Sequence, residues 1–180
     1  MTFNSQDLRT TRIATATIED AAVLAGFAER VFRETYAGKT DPDELERHIS
    51  AKFGLAQQRE ELLDPEMTTL FIFAGEVLSG YAQLRRGEKP DCVQPTGTMN
   101  LFRFYLDQRW HGRGVAAHLM DAVITSARTL GAEALWLGVW GENKRAIAFY
   151  GKHAFEDVGT HLFQLGSEKH LDRVMLRLLD

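Results

Sequence analysis

Two glycines flank an arginine, Gly112-Arg113-Gly114, between an apolar and aromatic run (Leu101 to Leu106) and a stretch with Val115, Leu119, Val123 and Ala127 at every fourth position. Ala116, Met120, Ile124 and Leu130 fill the same stripe, so the stretch reads as an amphipathic helix. The first turn of a helix leaves N–H groups unpaired and carries a partial positive charge, so it attracts phosphate. Glycine lets that main chain come close to the anion with no side chain between. Spacing sorts the devices that use this. A P-loop needs Lys followed by Ser or Thr, and Val115-Ala116 stands here instead. Gly112-x-Gly114-x-x-Ala117 does satisfy the dinucleotide fingerprint G-x-G-x-x-G/A. Yet Asp107 to His111 separate the strand from the first glycine. The next strand pattern, Ala134 to Trp140, also ends without an acid to hold a ribose.

Other reactive types are sparse or badly spaced. The histidines, at 48, 111, 118, 153, 161 and 170, form no H-x-x-x-H or Cys-His pattern, so no metal site is expected. His118 flanks the apolar stripe and reads as a satisfied, partly buried histidine, and Arg109 as a plain surface residue. The lone Cys92 has no nearby base, which argues against a nucleophile, and it suits a reducing cytoplasm.

His111-Gly112-Arg113-Gly114-Val115-Ala116 resembles the Q/R-x-x-G-x-G/A motif of the GNAT superfamily of N-acetyltransferases, with Leu119-Met120 as its following apolar pair. The departure is His111, where Gln or Arg is usual. A register beginning at Arg109 fits the letters better but starts the helix too early for its stripe. Asn143 to Phe155 resembles a second signature, N-x-x-A-I-x-F-Y-x-K-x-G-F, with Ala154 in place of Gly. Within the superfamily the chain is similar to the bacterial PaiA-type spermidine/spermine N-acetyltransferases. That similarity lies in Phe32 to Tyr36, Leu135 to Asn143, Gly159 to Gly166 and Asp172 to Met175.

The resemblance implies transfer of an acetyl group from acetyl-CoA to a small-molecule amine. It places the pantetheine arm along the main chain of Phe104, Tyr105 and Leu106, with an N–H near Leu106 facing the oxyanion. It places the pyrophosphate on His111, Gly112, Arg113, Gly114, Val115, Ala116 and Ala117. Asn143 would bond the cofactor, and Tyr150 would protonate the CoA thiolate, since a phenol of pKa about 10 is protonated at neutral pH. Each role has a plainer rival: Tyr150 as a core tyrosine, Asn143 as a helix cap, Arg113 as a solvated arginine. The Glu that many relatives use as base aligns with Asn100, which cannot serve; Glu76, Glu142 or another acid, through water, are the alternatives. For the acceptor side the resemblance points to Phe32, Glu34, Tyr36, Asn100, Trp140 and His161. Asp41, Asp43 and Glu44 lie nearby unless they only begin a helix. The acceptor class stays open between a polyamine, an antibiotic or amino-acid derivative, and a protein or peptide amine. An acyl-CoA-binding sensor without turnover is the reading from another class.

These residues need a frame, and 180 residues at 44% hydrophobic and 26% charged can build one as a single domain over 1–180, with 1–10 as a frayed start. A net charge of −4 argues against nucleic acid as partner. No apolar run reaches 18 residues, and Met1 to Arg12 lacks a signal-peptide core, so neither a membrane span nor export is expected. Strand patterns cover 12–17, 68–74, 77–85, 99–106, 134–140, 157–165 and 170–178. Helices are expected from Thr17 to Tyr36, from Asp41-Pro42 to Phe53, over 55–63, from Val115 to a stop at Gly131, and over 143–151. This order predicts an α+β, mixed α/β arrangement, the GNAT acyl-CoA N-acyltransferase fold. Its twisted, mainly antiparallel sheet has about seven strands, helices on both faces, and a V-shaped splay between 99–106 and 134–140. Free end strands and the resemblance together suggest a homodimer.

Overall fold

A computed structural model describes residues 11–165 and 168–179. The expected frayed start at 1–10 and the turn at Gly166 lie outside them. The elements are β1 (Thr11–Thr15), α1 (Ala21–Tyr36), α2 (Pro42–Phe53), α3 (Leu55–Leu63), β2 (Met67–Ala74), β3 (Val77–Arg85), β4 (Thr98–Leu106), α4 (Val115–Thr129), β5 (Ala134–Trp140), α5 (Lys144–Lys152), β6 (Glu156–Leu165) and β7 (Glu168–Leu178).

Local chemistry sets most boundaries. Asp41 accepts the N–H groups of Asp43 (3.0 Å) and Glu44 (3.1 Å), with Pro42 in the first helical position, so α2 starts there. Asp20 accepts the Thr17 N–H at 2.8 Å, but Ile18–Asp20 form a 3₁₀ turn, and α1 proper starts later than the capping signal suggests. α4 stops where Gly131 takes φ 77°. Leu130, expected within the apolar stripe, is 40% exposed. It sits past the last full turn, where the backbone has already left the helical line.

The strand order is β1-β2-β3-β4-β5-β7-β6, and β4 with β5 is the one parallel pairing among the described residues. Side chains alternate between sheet faces. Leu70, Ile72, Met99, Leu101, Leu135, Leu137 and Val139 pack against the buried stripe of α4. Phe71 and Tyr81 pack on the opposite face against Leu24, Phe27, Val31 and Phe32 of α1 and Leu45, Ile49 and Phe53 of α2.

The parallel ladder is short: Thr98↔Ala134, Met99↔Leu135 and Asn100↔Trp136. Beyond it β4 follows β3 as far as Leu106↔Gly80, while β5 follows β7 as far as Trp140↔Asp172. A bulge at Phe102 helps part them: Gln83 pairs with Arg103 and Leu84 with Leu101, and an extra residue bends the strand that carries it. The predicted splay is therefore present, between two strands each held by its antiparallel partner.

Candidate active site

Gly112 and Gly114 take φ of 73° and 81°, and a Cβ added to either would meet nothing within 4 Å. Gly114 immediately precedes α4, which begins at Val115, where the apolar stripe also begins. The first-turn N–H groups of Val115, Ala116 and Ala117 have no partner within the helix and sit at its positive end. Bare main chain, open space and a helix start coincide here, the combination that a diphosphate needs.

The loop that presents this seat is braced from below. Asp107 accepts the Arg109 N–H (3.0 Å) and caps a 3₁₀ turn, Gln108–Trp110, whose indole is only 3% exposed. Arg109, expected as a plain surface residue, returns both its Nε (2.9 Å) and Nη2 (2.6 Å) to the buried Asp107 carboxylate. Arg30 of α1 reaches the same carboxylate at 2.8 Å. The Arg109 hydrogen bond, more than burial opposes it, holds the Asp107 carboxyl well below the usual carboxylate range. Arg113 is exposed, its guanidinium carbon 5.8 Å above the Trp110 ring. Arg145 Nη1 lies 2.9 Å from His111 Nδ1. Burial first, then the Arg145 charge, lowers the His111 pKa, and Nδ1 accepts from the guanidinium.

Asn143 accepts the Ala146 N–H at 3.1 Å and starts α5, so its capping role is present. Tyr150 is buried, edge-on to Phe104 (6.3 Å between centroids) and beside Phe149 and Phe155. Burial, then the Tyr36 phenol, raises its pKa. Tyr105 is raised well above 10 by burial first, with Tyr36, Tyr81 and Tyr150 adding to it. Phenols from α1, β4 and α5 thus lie within electrostatic reach of one another. Ala154, in the position where the second signature has Gly, takes φ 58°, the one positive φ of a non-glycine among the described residues.

On the face of β5 turned away from α4 stand Trp136, Gly138 and Trp140. Gly138 is the one exposed residue of that strand. Trp140 is half-buried, with the Lys39 ammonium 5.8 Å above its ring. Tyr36 is pushed up to about 12, by burial first and then by the Asp172 carboxylate. His161 is exposed and pairs in register with Asp172. Asn100 is buried in the last rung of the parallel ladder, at the base of the splay.

Several expected acceptor-side residues are used otherwise. Phe32 is 4% exposed, packed on Tyr36 (4.5 Å), His48 (5.0 Å) and Phe53 (4.7 Å); it supports the wall rather than lining it. Glu34 is paired with Arg30 (3.0 Å), Asp41 caps α2, Asp43 is an exposed first-turn acid, and buried Glu44 pairs with Arg47 (2.9 Å). Glu76 and Glu142 are exposed in turns. His118 is exposed rather than partly buried, with Nδ1 2.5 Å from Thr11 Oγ1. Asp107 and Arg30 are not legible as site residues in the sequence, although Asp107 leaves a trace as a capping-type residue directly after a strand; Asp172 stands there only within the Asp172 to Met175 similarity. Among the described residues no three His, Cys, Asp or Glu side chains gather as a metal would require, and no helix is long and apolar enough to cross a membrane.

Comparison with known proteins agrees with this fold. The model of the acetyltransferase (GNAT) family matches residues 17–155. An uncharacterised N-acetyltransferase of Mycobacterium tuberculosis is 36% identical over 160 residues, 89% of this chain and 98% of the relative. In fold, the chain is similar to the PaiA N-acetyltransferase from Thermoplasma acidophilum in complex with coenzyme A. The TM-score is 0.77 and the identity 22%, over 94% of this chain and 99% of that one. It is also similar to yncA from Salmonella typhimurium with its cofactor acetyl-CoA. There the TM-score is 0.67 and the identity 20%, over 95% of each chain.

Proposed function

Because this chain belongs to the acetyltransferase (GNAT) family, we propose that it transfers the acetyl group of acetyl-CoA to a primary amine of a small cationic acceptor, a polyamine such as spermidine or spermine. One observation carries the reading. The splay between β4 and β5 lies with an open, glycine-walled helix start at its β4 end and the buried Tyr150 phenol on α5, the helix that follows β5.

Acetyl-CoA supplies an acyl group already activated as a thioester; the chain's residues seat, orient and move protons. Gly112 to Ala117, with His111 beside them, fit a diphosphate, since the space a Cβ would take at Gly112 and Gly114 is free. The main chain of Phe104, Tyr105 and Leu106 lies beyond the last rung shared with β5, so its edge toward β5 is available to an extended arm. Asn143 holds α5 by its oxygen and keeps its amide N–H groups for the cofactor. As the N–C bond forms and the C–S bond breaks, Tyr150 gives its proton to the departing sulfur and the amine's proton passes to solvent. Burial suits Tyr150 to this by keeping it protonated through the neutral range. The acceptor arrives from the face of Tyr36 and Trp140. The cytoplasm suits the enzyme, since there the single Cys92 stays reduced.

A thiol-release assay with acetyl-CoA and a panel of amines tests the proposal. Turnover with spermidine or another polyamine is expected. Binding of acetyl-CoA without thiol release for any amine would make the chain a sensor and overturn it.

A further inference from the structure

We propose that Arg103 is a positioning residue for the cofactor strand: buried between β4 and the helices α2 and α3, it fixes the bulge at Phe102 and so holds the main chain of Phe104 to Leu106 apart from β5. The proposal rests on the acetyltransferase reading above, which gives that edge to the pantetheine arm, and names the side chain that keeps the edge in place.

β4 shares its last rung with β5 at Asn100, and the extra residue, Phe102, follows two positions on. Arg103 comes next, with its side chain only 7% exposed. Its Nη1 pairs with the buried Glu61 carboxylate of α3 and donates to Gln83 Oε1 at 2.7 Å. Gln83 is its register partner on β3, and the Gln83 amide returns to Glu61 at 3.1 Å and to Thr69 of β2 at 3.2 Å. Nη2 donates at 3.2 Å to Lys52 O, a carbonyl at the C-terminal end of α2. The guanidinium carbon lies 4.7 Å over the Phe53 ring and 4.7 Å over that of Phe102, and Arg85 stands 4.1 Å over the Phe102 ring as well. Two helices and the neighbouring strand thus hold one residue of β4, just where that strand leaves β5.

Charges buried this far do not answer a need for stability alone. Desolvation cancels much of their attraction, and apolar side chains of similar volume are often as stable or more so. What the charges add is direction. A planar guanidinium with fixed donors suits one arrangement of Glu61, Gln83 and Lys52 O, so it sets the place of Arg103 within the tolerance of a hydrogen bond. An apolar side chain there leaves the bulge free to move by one residue. Such a slip exchanges the faces of every side chain beyond it and the main-chain groups turned toward β5.

The test replaces the cluster together, Arg103→Met with Glu61→Leu and Gln83→Leu, so that no charge or amide is left buried and unpaired. Urea unfolding should stay near wild type. Coenzyme A affinity in calorimetry should nevertheless fall about tenfold, the equivalent of ~1.4 kcal/mol. Hydrogen exchange should quicken in the amides of 102–106 and not in those of β5. Arg103→Lys keeps the charge without the fork; it should shift both readouts the same way by less, and it serves should the triple variant fold poorly. Unchanged exchange at 102–106, exchange quickened evenly through the sheet, or an unchanged affinity would overturn the proposal. The exchange judges Arg103 even if wild type binds no coenzyme A, an outcome that would sink only the acetyltransferase reading.

Discussion

The guanidinium of Arg30, in the middle of α1, lies 2.8 Å from the Asp107 carboxylate, at the point where β4 turns toward the glycine seat. Arg109 closes on the same carboxylate from the loop itself. α1 is thereby tied to the loop that joins β4 to α4.

Asp107→Ala removes the shared anion and the cap of the 3₁₀ turn. A loss of about 2 kcal/mol is expected in urea unfolding, less than for a fully buried pair because both guanidiniums keep contact with water. Coenzyme A affinity should fall with it. Because the folded-state pKa of Asp107 is depressed, its contribution is full above the unfolded value of about 3.9 and is lost as pH falls below it. Asp107→Asn should therefore flatten the decline of stability in acid. An unchanged acid profile would mean the pairs do not form in solution.

Gly114→Glu places bulk and negative charge where a Cβ meets only open space, and should abolish coenzyme A binding in calorimetry. Gly114→Ala tests backbone strain alone: with φ at 81° it should cost about 1 kcal/mol of stability. Normal affinity in the Glu variant would place the diphosphate elsewhere.

Tyr150→Phe keeps the buried ring and deletes the proton. Turnover should drop by about 10²-fold, the lower range of general acid catalysis, while acetyl-CoA affinity holds. Since the Tyr150 pKa is raised, no loss of wild-type rate from its ionisation should occur below pH of about 10. Undiminished turnover in the variant would leave the ring with packing alone.

Arg145→Ala removes one of the two main influences that lower the His111 pKa, burial being the larger. Its imidazole should then titrate closer to the ordinary value in an NMR pH series. An unmoved titration would show that the 2.9 Å contact is not kept in solution.

Ala154→Gly should stabilise the fold by about 0.5–1 kcal/mol. Relief of a left-handed alanine outweighs the added freedom of glycine in the unfolded chain. A thermal melt showing a loss would refute the strained backbone.

What could be read along the chain was whatever depends on neighbours in sequence. The stripe Val115, Leu119, Val123, Ala127 announces α4 because helical periodicity is local, and all four are buried. Asp41-Pro42 starts α2 for an equally local reason, and Gly112 and Gly114 mark the turn into α4 because positive φ singles out glycine. What only tertiary structure decided concerns groups whose meaning is a distance between elements. Thr17 to Asp20 made its capping contact, yet Ile18–Asp20 form a 3₁₀ turn and α1 begins only at Ala21. Phe32 and Glu34 looked like groove residues until neighbours claimed them. Nothing local marks Arg30 as a partner of Asp107, 77 positions away, or sets Asp172 beside Gly138. Charge acts through space, and only the register of β5 against β7 brings that carboxylate there.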